Sequence, residues 1–534
     1  MVFDYVIVGA GSAGCVLASR LSEEPDVSVL VLESGSRDVR REICTPSAWP
    51  TLLGSDLDYA YRTTPQHEMY ETRVAWPRGR TVGGCSAINA MVYLRGHRDD
   101  YDTWARQGAT GWAFDDVLPY FRRMESVPHG DPRFRGTAGP MRPSPTHDPN
   151  PLSAVFLAAA EAIGHPITPD FNGEQQVGAG WQDLSITGGQ RQSVADAYLT
   201  PSVLGRPNLT VHTETRALKL IVRGGRCKGV RVGRASAIID VLATREVVVS
   251  CGAIDTPRLL LLSGIGPADE LRDAGVRVVQ DLPGVGRNLH DHPLTSVVYE
   301  ANREIPPGAS NLSETSLLWR SDDGLLGPDM QMQFVHVPFL QPGMQAPSNS
   351  FTLGVATVPK SRGTIRLRNA DPAASPLIDP QYLTDVDDRT RLVHGVETAR
   401  AIVADSAFDG WRGAELYPGG ETTGADELEQ FVRRATGTYC HPVGTCAMGS
   451  GDDAVVTPDL RVRGVENLRV IDASVMPRIV SVNTNVPTIM IAEQGAELIR
   501  SRTLSTSHKF AKDRHGRSLV HSFVALASRH RSCA

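Results

Sequence analysis

The sequence lacks any run of about 18 apolar residues, the length that a membrane-spanning helix requires, so no membrane span is predicted. Aromatic residues make up 6% of the chain, and the formal net charge is −6, which is too small to favour nucleic acid or another strongly charged partner. The eight cysteines are scattered without the spacing of a disulfide framework, as expected of reduced thiols. These absences exclude membrane-spanning, nucleic-acid-binding and disulfide-stabilised proteins.

The residues that are present indicate a globular enzyme with many loops. A length of 534 residues exceeds the usual size of one hydrophobic core, and 41% hydrophobic residues with 50 glycines and 36 prolines fit that class. A first strand at about Phe3 leaves no room for a signal peptide, so we expect a cytoplasmic protein. The basic tail after Arg500, rich in Ser, His and Arg, is expected to lie outside the fold.

The first residues have the pattern of one strand–helix–strand unit. Residues 4–8 and 27–33 are apolar runs typical of buried parallel strands, and residues 12–22 between them have a helical pattern. The loop before the helix reads Gly9-x-Gly11-x-x-Gly14, and the second strand ends at Glu33.

This glycine spacing predicts a dinucleotide site. Gly9 allows the tight turn, Gly11 lets the backbone approach a pyrophosphate, and Gly14 allows close packing of helix and strand. The helix N-terminus attracts the phosphates, and the Glu33 carboxylate can accept hydrogen bonds from ribose hydroxyls. The pattern does not distinguish NAD from FAD.

The region 293–440 differs from the first residues in the order of its strand and helix patterns. Strand patterns at Met330–Val337 and Phe351–Val358 precede helical patterns at 389–404 and 424–435, which predicts a second, substrate-binding domain. Beyond it, Leu468–Asp472 is again a predicted strand.

One histidine stands out near the C-terminus. His441 lies between Cys440 and Pro442, and Cys446 follows shortly after. Structural zinc takes four ligands, and no second cysteine pair lies nearby, so no metal site is predicted. A histidine such as His441 can have a chemical role, or it can be simply solvent-exposed or structural; this part of the sequence leaves both interpretations open.

Four segments resemble the signatures of the glucose-methanol-choline (GMC) oxidoreductases. They begin with Gly79-Arg80-Thr81-Val82-Gly83-Gly84 and end with Asn483-Thr484-Asn485; the other two run over residues 252–266 and 441–445. The resemblance spans residues 3 to 500 in the family's order. It implies FAD as the cofactor, and an α/β fold in which a Rossmann-like FAD-binding domain is interleaved with an α+β substrate-binding domain, an antiparallel sheet flanked by helices.

The resemblance also implies a division of the chain. We expect FAD-binding parts at 1–125, 201–292 and 441–500, a connecting and substrate-domain segment at 126–200, the substrate-binding domain at 293–440, and a disordered tail at 501–534.

The family's cofactor contacts are carried over onto matching positions of this chain. Some members attach FAD covalently through a histidine at the position of Ile88, so the resemblance implies a non-covalent flavin here. The expected FAD-binding residues are Gly9, Gly11, Ser12, Ala13, Gly14, Glu33, Arg80, Val82, Gly83, Asn89, Ala90, Met91, Val92, Ala217, Asp472, Ala473 and Asn483.

The resemblance further implies the chemistry. Histidine has a pKa near working pH, which suits the removal of an alcohol's proton while hydride passes to flavin N5. By analogy His441 is the base and Asn483 its partner, with Asn485 as the neighbouring alternative. The cluster His290-Asp291-His292 follows a stretch similar to a family loop near the flavin, so we expect it to be structural.

The expected reaction is the FAD-dependent oxidation of an alcohol to an aldehyde or ketone. Within that class, a neutral primary alcohol, aliphatic or aryl, is the expected substrate, and its product would be the aldehyde. A quinone or another carrier is favoured over O2 as electron acceptor. The alternatives are an oxygen-reducing alcohol oxidase, a hydroxynitrile lyase that keeps FAD structurally, and a flavin-binding protein without turnover. No oligomeric state is predicted.

Overall fold

The computed structural model describes residues 1–37, 40–341 and 343–501, so the predicted tail lies outside the described residues from residue 502 onward. Within this part of the chain, no helix is long and apolar enough to cross a membrane. The same residues hold no group of three or more His, Cys, Asp or Glu side chains that could bind a metal ion.

The first sheet has a parallel centre because its strands are apolar on both faces. Val6, Ile7, Leu30 and Val31 are all fully buried. Parallel pairs join the strands at the centre, and an antiparallel hairpin extends one edge. The strand order is Leu209–His212, Val29–Leu32, Val2–Val8, Ala237–Val249, Arg226–Arg234 and Thr215–Arg223, and Leu468–Val470 also pairs with Ala237–Val249.

The second sheet is antiparallel throughout. Its central strand Met330–Val335 points Met332 and Phe334 into an apolar core, whereas Gln331 and Gln333 lie on the opposite face. The strand order is Arg412–Tyr417, Pro293–Ala301, Ser350–Thr357, Met330–Val335, Thr315–Trp319 and Gly178–Trp181, and Thr436–Thr438 also pairs with Pro293–Ala301.

Helices cover both sheets. Ser12–Leu21 follows the first strand, while Pro151–Ala162 and Val386–Ala404 pack on the second sheet. The other long helices are Arg98–Arg106, Phe114–Met124, Gly252–Leu262, Ala425–Ala435 and 485–501. The short α-helices are Arg41–Cys44, Trp49–Leu52, Val194–Tyr198, Pro201–Leu204 and Ala268–Asp273. Single 3-10 turns occur at Pro46–Ala48, His67–Met69, Gly84–Ala87, Ser406–Phe408 and Ala473–Val475.

Short strand pairs complete the structure. They are Tyr61–Arg62 with Ala75–Trp76, Val92–Tyr93 with Asp183–Leu184, Ile186–Thr187 with Gln190–Arg191, Ile265–Gly266 with Gln280–Asp281, and Thr364–Arg366 with Leu377–Asp379.

The predicted fold class is confirmed, and the differences from the sequence prediction are local. The strand Ala237–Val249 begins well before the apolar run at its end, residues 247–249, because its first half pairs in an exposed hairpin and has no continuous apolar run. The helix Arg98–Arg106 was not predicted; Tyr101 and Trp104 anchor it, while most of its other residues are charged.

Candidate active site

A long cavity connects the two sheets. At one end Gly9, Glu33 and Ala217 line it, at the carboxyl edge of the parallel strands. At the other end it reaches His441 and Phe339, beside the antiparallel sheet. A crevice at the carboxyl ends of parallel strands is where α/β folds bind nucleotides.

The first end of the cavity is a cradle of backbone atoms. Gly9 has φ +100, and a Cβ there would lie 2.5 Å from the Ser250 carbonyl oxygen. A Cβ on Gly84 would lie 2.7 Å from Gly11 Cα, so two glycine loops are in contact. A Cβ on Gly11 would meet only Gly84 Cα, at 4.0 Å, and would otherwise project into the cavity. This open backbone at a helix N-terminus fits a pyrophosphate.

Glu33 is well placed to bind a ribose. Its Oε1 accepts from the Gly35 N–H at 2.7 Å and its Oε2 from the Ala10 N–H at 2.9 Å. Burial raises the pKa of Glu33, and these backbone N–H groups oppose that effect. The carboxylate still borders the cavity, where its remaining lone pairs can accept from ribose hydroxyls. The residues present therefore fit FAD.

Most of the predicted cofactor residues border the cavity. Those that do are Gly9, Gly11, Ser12, Ala13, Glu33, Asn89, Ala90, Met91, Val92, Ala217, Asp472, Ala473 and Asn483. Gly14, Arg80, Val82 and Gly83 do not border it. Gly14 packs under the first turn, where a Cβ would lie 1.8 Å from the Gly9 carbonyl oxygen. Arg80 is exposed, and Gly83 faces Ala195 and Ala87, whereas Gly84 faces the cavity.

Asp472 has two roles in the structure. Its Oδ2 accepts from the Gly252 N–H at 2.8 Å and from the Thr256 hydroxyl at 2.6 Å, and so holds the start of the helix Gly252–Leu262. Its other oxygen accepts from the Ser474 N–H at 2.8 Å. Burial raises the pKa of this carboxyl, against the effect of its hydrogen bonds. Asp472 is thus a cap that also lines the cavity.

His441 and Asn483 meet at the second end of the cavity. His441 Nε2 lies 3.2 Å from Asn483 Nδ2, and both residues line the cavity wall. Asn485 instead accepts a hydrogen bond from the Ser12 hydroxyl at 2.6 Å, through its Oδ1. The structure therefore brings Asn483, and not Asn485, to the histidine ring.

His292 lies behind His441, contrary to the expectation that its cluster is only structural. The two Nδ1 atoms are 3.0 Å apart, and His292 Nε2 lies 3.0 Å from the Val480 carbonyl oxygen. The cause is strand pairing: Pro293 is the register partner of Thr438, which places the residues flanking both strand ends side by side. Asp291 adds a further tie, because its Oδ1 accepts from the His441 N–H at 2.6 Å.

The comparison with family models covers most of the chain. The model of the GMC oxidoreductase N-terminal domain matches residues 3–294, and that of the C-terminal domain matches residues 359–492. The chain belongs to the GMC oxidoreductase family.

Individual proteins that are similar to this GMC oxidoreductase support the same family assignment. Human mitochondrial choline dehydrogenase is 41% identical over 94% of this chain and 90% of its own length. The oxygen-dependent choline dehydrogenase of Brucella anthropi is 39% identical over 94% of this chain and 96% of its own length. The crystal structure of pyridoxine 4-oxidase from Mesorbium loti superposes with a TM-score of 0.90 at 36% identity, over 93% of this chain and 98% of that one.

The family, the relatives and the fold agree on the broad activity. The GMC oxidoreductase is an FAD-dependent enzyme that acts on CH–OH donors and oxidises an alcohol to an aldehyde or ketone.

Buried histidines give this end of the cavity its electrostatic character. Burial, His292 and the Arg78 guanidinium together lower the pKa of His441 well below its ordinary value. Burial also lowers the pKa of His292 to about 3. Both rings are therefore neutral at pH 7, so each carries one N–H and one lone pair. A neutral imidazole beside the cavity can accept a proton.

Sequence reasoning missed three side chains that shape this end of the cavity. Gln331 donates from Nε2 to Asn483 Oδ1 at 3.2 Å. Arg78 donates to the Cys440 carbonyl oxygen at 2.6 Å, and the Tyr439 ring lies 4.3 Å from the His441 ring between centroids. Arg78 directly precedes the motif that begins at Gly79, and Tyr439 lies two residues before His441, so both are close to recognisable motifs. Nothing in the sequence distinguishes Gln331 from the other buried residues of its strand.

Proposed function

We propose that His441 Nε2 removes the hydroxyl proton of the substrate alcohol and that the Asn483 amide donates a hydrogen bond to its oxygen. The observation that carries this proposal is the 3.2 Å contact between these two side chains at the cavity wall. An alcohol oxygen placed next to both groups would have an acceptor for its proton and a donor that stabilises the developing alkoxide. When bound, FAD supplies the acceptor for the hydride.

The same proposal includes how the cofactor is held. The Gly11 backbone would face the pyrophosphate, Glu33 would accept from the ribose hydroxyls, and Ala217 would lie beside the adenine; all three residues line the cavity. Ile88 borders the cavity and offers no nucleophile, which supports a non-covalent flavin that denaturation releases in full. We also propose the domain boundaries that the sequence predicts, and a cytoplasmic location for the protein.

For the electron acceptor we propose a quinone or another carrier. The support is the resemblance to dehydrogenases such as the human relative. Oxygen consumption by the alcohol-reduced enzyme decides the matter: slow uptake agrees with a carrier, and rapid stoichiometric uptake would identify an oxidase.

The test of the function is anaerobic mixing with a panel of alcohols while flavin absorbance is followed. Loss of the oxidised flavin spectrum demonstrates hydride transfer. A protein that stays yellow with every alcohol, yet releases an aldehyde and cyanide from cyanohydrins, would be a lyase and would contradict the proposal.

Replacing Asn483 should slow catalysis more than replacing its neighbour. Asn483→Ala removes the donor to the alkoxide, so we expect the rate of flavin reduction to fall about 100-fold. Asn485→Ala removes the partner of the Ser12 hydroxyl and should act on FAD affinity more than on this rate. Stopped-flow reduction of FAD-saturated enzyme separates the two effects. If Asn485→Ala lost more of the rate than Asn483→Ala, Asn485 and not Asn483 would be the donor to the alkoxide.

The charges around the cavity support a neutral substrate. Among the described residues that line it, the carboxylates are Glu33, Asp255 and Asp472. Each is already engaged: Asp255, for example, accepts from the Tyr61 hydroxyl at 2.9 Å and from Arg258 at 2.8 Å. Trp49 and Phe339, whose ring centroids are 5.9 Å apart, add flat apolar surface.

We therefore propose that the substrate is a neutral alcohol and not choline, the cation for which the two dehydrogenase relatives are named. Choline and its uncharged isostere 3,3-dimethylbutan-1-ol have almost the same shape and differ in charge. We expect kcat/KM for the isostere to equal or exceed that for choline, because no free carboxylate on the described cavity wall stabilises the ammonium. A preference for choline of more than about tenfold, or 1.4 kcal/mol, would contradict this.

A further inference from the structure

A chain of hydrogen bonds runs from one backbone carbonyl through the reacting pair. The Val480 carbonyl oxygen can only accept, so the His292 Nε2 atom 3.0 Å away carries the proton of that neutral ring. His292 Nδ1 is then a lone pair and must accept from His441 Nδ1, at 3.0 Å. It follows that His441 Nε2 carries no proton, which is the form that a base requires.

The amides continue the chain in the same direction. Without substrate, a bare His441 Nε2 accepts from Asn483 Nδ2 at 3.2 Å, a contact that the alcohol hydroxyl replaces when His441 acts as the base. Asn483 Oδ1 is then left to accept from Gln331 Nε2 at 3.2 Å. The chain ends at Gln331 Oε1, which is buried and has no partner among the described residues. Every donated hydrogen in the chain therefore points from Gln331 toward Val480, and the one N–H of the His441 ring lies at Nδ1 and not at the Nε2 that faces Asn483.

The amide end of the chain does not enforce this direction. If the amides of Asn483 and Gln331 both rotated by half a turn, they would keep their mutual hydrogen bond and would accept a proton from His441 Nε2. That arrangement would satisfy the amides equally well and would block the base. Only the fixed polarity of the Val480 carbonyl, transmitted through His292, distinguishes the two arrangements.

We propose that His292 is a positioning residue that holds His441 in the tautomer with a bare Nε2, and that the orientation of the Asn483 and Gln331 amides follows from this tautomer. This inference rests on the proposed function of His441. The lowered pKa of His292 agrees with it, since the argument requires a neutral ring. The groups that face His441 are His292, Asn483, Tyr439, Arg78 and, at its backbone, Asp291.

The first test compares two replacements of His292 with one of His290. His292→Leu removes the acceptor for His441 Nδ1–H, so the blocked tautomer becomes populated and the rate of anaerobic flavin reduction should fall about tenfold or more. His292→Gln offers a carbonyl to His441 and an N–H to Val480, and should restore the rate to within about threefold. His290→Leu is the matched control, because that buried ring pairs with the Asn288 carbonyl oxygen at 2.7 Å and not with His441.

The pH dependence gives a readout that a merely structural role would not change. His441 is competent while neutral, so kcat/KM is lost only as pH falls through its lowered pKa. Loss of the ring in His292→Leu removes the neutral acceptor of the His441 Nδ1–H bond, which favours the protonated ring, so the acid limb should move further below the ordinary histidine value of about 6.5. His290→Leu should leave the limb where it is in the unmodified enzyme.

The other end of the chain provides an independent test, should His292→Leu fail to fold. The carboxylate introduced by Gln331→Glu can only accept, so it draws the Asn483 N–H away from His441 and favours the blocked arrangement. Gln331→Met keeps the volume and imposes no direction. We expect flavin reduction about tenfold slower in Gln331→Glu than in Gln331→Met.

The outcomes are distinct. Equal rates in His292→Leu, His292→Gln and His290→Leu, or equal rates in the two Gln331 variants, would overturn the inference while leaving the proposed function intact. An unmodified holoenzyme whose flavin no alcohol reduces would instead overturn the proposed function itself.

Discussion

His441→Ala should slow flavin reduction by alcohols about 100- to 10,000-fold while FAD stays bound. The reason is chemical: the hydroxyl proton must leave as hydride departs, and the His441 Nε2 atom is a proton acceptor at the cavity wall. The FAD cradle lies at the other end of the cavity, around Gly11 and Glu33, so the substitution should not empty it. Anaerobic stopped-flow reduction and the flavin-to-protein ratio measure the two effects separately.

A matched control uses a histidine outside the site. His394 lies on the helix Val386–Ala404 with 55% of its side chain exposed, so His394→Ala should reduce flavin at the unmodified rate. If His441→Ala reacts as fast as His394→Ala, the assigned base is wrong. If His441→Ala loses its flavin, the ring supports cofactor binding, and only rates measured with added FAD bear on its chemistry.

Gly11→Val should remove FAD and leave a folded protein. The backbone at this position is extended, with φ −73 and ψ −166, which valine adopts readily. The added Cβ would meet only Gly84 Cα among protein atoms, at 4.0 Å, and would otherwise occupy the space that a pyrophosphate needs. We expect FAD affinity to fall about 100-fold, equal to about 2.8 kcal/mol.

The measurement is FAD titration of the apoprotein, with thermal unfolding of the apo forms as the test of folding. Gly410→Val is the control, because a Cβ there has no neighbour within 4 Å and the residue is exposed and does not line the cavity. Stoichiometric FAD in purified Gly11→Val would show that the pyrophosphate does not approach this backbone. An apo form of Gly11→Val that unfolds at a lower temperature than the Gly410→Val apo form would point to a packing role instead.

The sequence was informative wherever a local pattern carries the physics. The apolar runs at Val2–Val8 and Val29–Leu32, the glycine turn between them and Glu33 specify a nucleotide site because all of it lies within one strand–helix–strand unit. The loop around His441 is also recognisable from the sequence, because the residues of its motif, 441–445, are contiguous. The sequence does not mark a strand where pairing, and not an apolar run, makes it, as in the first half of Ala237–Val249 and at Gly178–Trp181.

Local patterns were misleading where a side chain's role depends on the partner strand. His292 belongs to the cluster 290–292, for which the sequence predicts a structural role, yet the pairing of Pro293 with Thr438 brings it to His441. Gln331 is one of two buried glutamines on its strand, and only the position of Asn483 distinguishes it from Gln333. Arg80, Val82 and Gly83 lie in a matching motif, but the turn of that loop directs Gly84 to the cavity.

The sequence by itself therefore predicted the cofactor class and the fold class, and it marked His441 together with two candidate asparagines, Asn483 and Asn485, because each is written in contiguous residues. The tertiary structure decided which asparagine meets His441 and which way the hydrogen bonds run between Val480 and Gln331. Those features depend on the register between strands far apart in the chain and on the direction of one carbonyl, and neither quantity has a local signature.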